Sequence, residues 1–340
     1  MKHKIYLRNF NGILDGIAKS EEFEKVLDPR DCDAIVVWQD VRSEYAELAK
    51  INKEHLHKPF IVIQHGAGAT RDYEHPENFP MLADKFCCWG THDYDRLIKQ
   101  GRASQAVLTG CPLIKQITPK EEHAGKNIVF CPIITTHEEP SNLATYYELK
   151  KTEFDYSQKK ILKYKEQLIG AWKPSILNPD DKLGETLIPY HDICTDFRLI
   201  SKLTPIHDKA LYMGSICETS VNSATHIADC VKLLANTDVV VGMVESTFQL
   251  LAMAMDIPVV ICKEWEFKMY AGKDYTDCDH LITNGATYSD LCDLRKTVEQ
   301  ELSNPERLKE ERKKVVEVEL GTFPDPDKKI IEVIKGELNG

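Results

Sequence analysis

The feature that most constrains the fold of this chain is a set of short, wholly apolar runs rich in Val and Ile: Ala34–Trp38, Phe60–Ile63, Val239–Val241 and Val259–Cys262. A strand whose residues do not alternate apolar with polar has both faces buried, as happens when helices cover both sides of a parallel sheet. Amphipathic stretches near residues 12–27, 42–54 and 91–101 separate five strand candidates, Lys4–Leu7, Ala34–Trp38, Phe60–Gln64, Phe86–Trp89 and Ala106–Thr109. The first hundred residues therefore spell alternating β and α elements around a parallel sheet.

The pattern breaks at Gly110-Cys111-Pro112, and a second series opens with Ile128–Ile134. A Lys- and Tyr-rich helix over 142–168 interrupts it; strands at Arg198–Leu203, Val239–Gly242, Val259–Cys262 and His280–Ile282 follow, with helices near 222–235 and 247–255. A chain of 340 residues is long enough for two such domains. The expectation is an α/β protein of two doubly wound, Rossmann-like domains facing across a cleft, at 1–117 and 127–303, joined by a linker at 118–126. A charged helical tail, 304–340, breaks at Pro324-Asp325-Pro326 and resumes at 328–337.

Hydrophobic residues at 42% and charged residues at 29% exclude disordered and fibrous classes. No apolar run approaches the length of a membrane span and the N-terminus lacks a signal-peptide core, so neither a span nor export is expected. Eleven cysteines without a CxxC pair, several inside strand candidates, read as reduced thiols in a cytoplasmic protein. The net charge of −11 opposes a non-specific grip on nucleic acid.

In open parallel sheets ligands gather beyond the carboxyl ends of the strands. Two clusters stand there. In Ile61-Val62-Ile63-Gln64-His65-Gly66-Ala67-Gly68-Ala69-Thr70-Arg71 a strand runs directly into a histidine. His65 is the candidate base, with Asp72 and Glu74 as alternatives, while Gly66 and Gly68 let backbone amides approach a ligand beside Arg71. A buried structural histidine and a plain tight turn are the competing explanations. The G-x-G is only a partial dinucleotide fingerprint, because Arg71 holds its third glycine position. The second cluster, Val239–Gly242 followed by Met243-Val244-Glu245-Ser246-Thr247, brings two hydroxyls to a helix start, which suits a diphosphate. A plain N-cap is the alternative.

The order of "ADCVKLLANTDVVVGMVEST" and "AMAMDIPVVI" resembles the donor domain of GT-B glycosyltransferases, and "IQHG", "ADKFCCWGTHDYDRLIKQG" and "AVLTGCP" resemble the acceptor domain. The pattern resembles that of the CDP-glycerol glycerophosphotransferase and polysaccharide-transferase group, with UDP-N-acetylglucosamine 2-epimerase as a second relative. That resemblance implies a metal-independent enzyme without a resident cofactor, using a nucleotide diphosphate-activated donor. It places His65 on the acceptor side, Glu245, Ser246 and Thr247 at the donor phosphates, and His207 of "LISKLTPIH" facing the donor, and it folds the tail back across the first domain. Lys202, Thr135 and Thr136 are further candidates for the diphosphate, and Trp265 could stack on a base or sugar. Leu251 stands where retaining GT-B enzymes carry a ribose-binding Glu, and Val244 where the glycerophosphotransferases carry an Asp, so donor and stereochemistry stay open.

Three other readings remain beside this one. A glycosyltransferase acting on a hydroxymethylated nucleic-acid base would need a basic groove, for which Arg71, Arg96, Lys99 and Arg102 are the available cations. An epimerase is the second, and a nucleotide-sugar-binding protein without turnover is the third. No His or Cys spacing makes a convincing metal set.

Overall fold

The computed structural model describes residues 2–9, 12–40, 43–66, 68–74, 80–118, 128–131, 227–242, 247–262, 282–290 and 293–339. They fall into two compact units, one built from Met1–Ile117, His226–Ala228 and Lys314–Gly340, the other from Thr118–Thr225 and Asp229–Lys313. No helix among the described residues is long and apolar enough to cross a membrane.

The first unit holds a six-stranded parallel sheet of β1 (His3–Leu7), β2 (Phe23–Val26), β3 (Ala34–Val37), β4 (Phe60–Ile63), β5 (Lys85–Cys88) and β6 (Ala106–Leu108), in the order β2-β1-β3-β4-β5-β6. The central β3 and β4 are buried at every residue, as their unbroken apolar runs require. Each such Val or Ile stabilises the fold by roughly 1.5–3 kcal/mol relative to exposure. Their register, Ile35 opposite Phe60 through Val37 opposite Val62, brings the ends of the two strands level.

Helices α1 (Asp15–Lys19), α2 (Ser43–Ile51) and α3 (Thr91–Lys99) connect these strands. The single helix expected over 12–27 is corrected: α1 is five residues long, and Phe23–Val26 forms an edge strand. Its Phe23 is buried while Glu24 and Lys25 are exposed. Four residues with one buried position are too few to show a period of two, so the strand hid inside a helical pattern.

The second unit carries β7 (Ile128–Cys131), β8 (Val239–Gly242), β9 (Val259–Cys262) and β10 (Ala286–Ser289), all parallel, in the order β10-β9-β8-β7. Its helices are α4 (Ile227–Ala235), α5 (Thr247–Ala254), α6 (Ile282–Gly285) and α7 (Leu294–Ser303). The strand expected at His280–Ile282 is also corrected, since Ile282 begins a helical turn and pairing with β9 starts at Ala286. Helix α5 is buried almost all round, as its Leu-Leu-Ala-Met run demands. Asp256 ends it at φ +59, and its carboxylate accepts from the wholly buried Arg312 at 2.6 Å and pairs with Lys309 at 2.9 Å.

Helix α8 (Lys309–Leu320) and helix α9 (Pro326–Asn339) form the tail. Helix α9 packs on α1, and Lys335 bonds Glu22 at 2.5 Å. The end of α8 lies against the segments after β5 and β6: the Cys111 amide, beyond β6, donates to the Leu320 carbonyl at 2.8 Å, and a Cβ on Gly90, beyond β5, would strike the Val318 carbonyl oxygen. Gly90 is therefore a contact point where one backbone touches another. Replacing it by Ala should destabilise the protein by about 1–3 kcal/mol, because the obstructing atoms are backbone and cannot rotate away. Gly336 lies within α9, and a Cβ there meets nothing within 4 Å, so Gly336→Ala should stabilise by about 0.5–1 kcal/mol. Thermal unfolding of both variants checks the pair, and equal effects would contradict the close approach at Gly90.

Candidate functional site

Strand β4 ends at Ile63, and Gln64 and Thr70 beyond it are tied to Asp93 on α3. Gln64 is wholly buried, and its side chain makes three bonds. Its carbonyl oxygen accepts the Trp89 amide at 2.8 Å, and its amide nitrogen donates to the Gly66 carbonyl at 2.9 Å and to Asp93 Oδ2 at 2.5 Å. Gly68 sits at φ +65, a conformation that costs a glycine little. Thr70, also fully buried, donates its amide to Asp93 Oδ1 at 3.3 Å and its hydroxyl to the same oxygen. One buried carboxylate thus clasps both ends of the turn that carries His65.

His65 is half-buried, with its ring edge-on to Trp38 at 4.7 Å between centroids. Its Nδ1 lies 3.0 Å from the Trp38 carbonyl oxygen. A carbonyl only accepts, so this bond is made with a proton on Nδ1. Trp38 is oriented in turn by Tyr45, whose hydroxyl accepts the indole N–H at 2.9 Å.

The sheet order reverses between β1 and β3, so the point at which such sheets bind ligands is flanked by Arg8 and Trp38, one strand from His65. Arg8 donates Nε–H to the Tyr6 hydroxyl at 2.6 Å and stands over that ring at 5.4 Å. Without β2 the reversal is invisible in the sequence, which is why Arg8 and Trp38 were not expected there.

Asp40, just after β3, is a second buried carboxylate that sequence reasoning missed. It accepts from the Tyr73 hydroxyl at 2.5 Å and from the amides of Leu82 and Ala83, both at 2.7 Å. It holds the segment before β5 and the 3₁₀ turn Ala69–Glu74 to the ends of the strands. Burial pushes its carboxyl above the ordinary value, with the three donors opposing.

Arg71, Asp72 and Glu74 occupy that 3₁₀ turn, directly after the His65 loop. Thr247 opens α5 after β8 and is buried. Expectations for Thr135, Thr136, Lys202, His207, Glu245, Ser246 and Trp265 concern residues outside those described. Arg96, offered above as part of a basic groove, is turned inward with its side chain 12% exposed: it donates to Asp93 at 3.1 Å and to His92 at 3.2 Å. Among the described residues no three His, Cys, Asp or Glu side chains stand together as metal ligands. The described cysteines Cys32, Cys87, Cys88, Cys111 and Cys230 are buried and unbridged, and desolvation pushes the Cys87 thiol up to about 12.

No protein-family model matches the chain, and no curated protein sequence matches it. Solved structures do. A variant of the wall teichoic acid polymerase TagF superposes with a TM-score of 0.52 at 9% identity, covering 99% of this chain and 89% of that one. TagF itself gives 0.50 at 10% identity, over 93% of this chain and 77% of that one. The fold is GT-B. MurG of Acinetobacter baumannii is more distant, with a TM-score of 0.42 at 11% identity over 90% of this chain and 74% of that one. The likeness at these identities is one of fold.

The Asp40 carboxyl gives a pH test of the scaffold around His65. A raised folded-state value means that the native protein binds this proton more tightly than the unfolded chain. The stability it contributes is complete below the unfolded value, about 3.9, and is lost as pH rises through the raised folded value. Relative to Asp40→Asn, the wild type should therefore gain stability as pH falls from 7 toward 4. Denaturant unfolding of both across that range checks it, and a gap moving the other way would mean that the three donors outweigh burial.

Proposed function

We propose that this protein is a metal-independent transferase that moves a glycosyl or polyol-phosphate group from a nucleotide diphosphate-activated donor to an acceptor hydroxyl. The observation that carries the reading is a histidine held by its Nδ1 at the carboxyl end of a central strand in a GT-B fold, and the reading takes its Nε2 as the base. The likeness to TagF, one structure of which was soaked with CDPG, supports a phosphate-linked donor.

In this mechanism the acceptor hydroxyl binds against the first unit and passes its proton to His65 Nε2 as its oxygen attacks. Glycosyl transfer then breaks the anomeric C–O bond and releases the nucleoside diphosphate; polyol-phosphate transfer attacks phosphorus and releases the monophosphate. The departing negative charge falls to the donor-side groups, Ser246 and Thr247 with Glu245 next to them in sequence, and His207, Lys202, Thr135 and Thr136 as further members. No cofactor takes part. The unbridged cysteines fit a reducing, cytoplasmic setting. The inward turn of Arg96 removes one of the four cations on which the nucleic-acid reading depended.

His65→Ala should lower kcat by about 10²- to 10⁴-fold while donor affinity stays nearly constant. A destabilised variant with full activity per folded molecule would transfer the role of base to Asp72 or Glu74. Ser246→Ala combined with Thr247→Ala should weaken nucleotide diphosphate binding by about 1–3 kcal/mol, read by calorimetry. Unchanged affinity in the folded double variant would remove that pair from the donor site. EDTA should leave turnover intact, and loss restored by magnesium or manganese would refute the metal-independent reading.

A further inference from the structure

The Asp93 clasp on the His65 turn does not stand alone. Arg96, one helical turn along α3, donates to Asp93 Oδ1 at 3.1 Å and to the Thr70 hydroxyl oxygen at 3.4 Å. Its other terminal nitrogen reaches His92 Nε2 at 3.2 Å, and His92 Nδ1 lies 2.7 Å from Glu319 Oε1 on α8. A guanidinium only donates and a carboxylate, when ionised, only accepts, so the chain of bonds has one consistent direction. Arg96 gives to Nε2, and the Nδ1–H of a neutral His92 gives to Glu319. Asp93 and Glu319 are 1% and 2% exposed, and Glu319 Oε2 has no partner among the described residues. A buried carboxylate with one oxygen unsatisfied is a poor contribution to stability, since desolvating it costs more than its single bond returns.

We propose that Glu319, His92, Arg96 and Asp93 form a positioning relay through which the C-terminal helix α8 holds the His65 turn in its working geometry. The relay runs from a residue near the end of the chain to a loop in the middle of the first unit, with every link between charged or strongly polar atoms. Asp93 fixes the turn at Gln64 and Thr70, Arg96 fixes Asp93, and the His92–Glu319 bond fixes Arg96 from the far side. Gly90 allows α8 to approach closely enough for Glu319 to reach His92, because any Cβ there would strike the Val318 carbonyl and the Glu319 backbone. None of the four touches the reacting atoms; they act through the turn. The inference rests on His65 being the acceptor-side base.

The test cuts the relay at His92. His92→Leu removes both bonds, whereas His92→Gln restores one donor toward Glu319 and one acceptor toward Arg96. In full-length protein, hydrogen exchange of segment 64–74 read by mass spectrometry should quicken by about tenfold or more in His92→Leu and return toward wild type in His92→Gln. The kcat of His92→Leu should fall by about 10- to 100-fold, the scale expected when a reacting group is misplaced by about an ångström, with donor KM unchanged and partial recovery in the Gln variant. Unchanged exchange in His92→Leu overturns the relay, whatever the activity of His65→Ala. Faster exchange with full turnover, in a protein that His65→Ala inactivates, overturns its positioning role. An active His65→Ala overturns the base reading and with it the catalytic purpose of the relay, while the exchange result still decides whether the relay sets the turn. If His92→Leu does not fold, Thr70→Val, with Thr70→Ser as the restoring variant, severs the clasp at its other end under the same two readouts.

Discussion

The buried carboxylate of Asp93 is the constraint from which the candidate site follows. A charge out of water persists only when donors surround it, and here they come from Gln64, Thr70 and Arg96. Satisfying that charge draws Gln64 and Thr70 to one side chain, and His65 lies between them in sequence. Asp40 repeats the device one strand away, drawing Tyr73, Leu82 and Ala83 inward. Two acidic side chains inside the fold thus anchor the described residues that follow β3 and β4.

The same economy explains the tail. Helix α8 ends against the turn after β5, where Gly90 allows backbone to touch backbone, and Gly321 at φ +74 ends the helix beside the Trp89 carbonyl. Lys115 pairs with both Asp325 and Asp327 at the start of α9, and Lys335 reaches Glu22. The last residues of the chain are part of the first unit's structure, and through Glu319 they reach the region of the site.

The central strands were legible because burial on both faces leaves an uninterrupted apolar run, as in Phe60–Ile63 and Val239–Gly242. The break at Pro324 and the helix after it were legible for local reasons too, since proline and charge periodicity act over a few residues. Strand β2 was not, because an edge strand with Glu24 and Lys25 exposed carries almost no period. His65 could be singled out by its place after a strand, and its hydrogen bond to Trp38 agrees with an ordered ring. The link from Asp93 and Arg96 to Glu319 could not be, because Glu319 meets His92 across 227 positions and no spacing rule joins them. The motif "GTHDYDRLIK" contains three of the four relay residues, yet on sequence alone it offered Arg96 and Lys99 only as cations of a basic groove.

The central claim is that a GT-B fold with this histidine serves a nucleotide diphosphate-activated donor, and donor binding is its most direct consequence. Thermal unfolding of the wild-type protein in EDTA against UDP, CDP, GDP and dTDP measures it without knowledge of the acceptor. A ligand present at 100 times its dissociation constant adds about 2.7 kcal/mol of stability. The account predicts that at least one of the four raises the unfolding temperature in a saturable manner, whereas no shift with any of them, with or without their sugars, would contradict it.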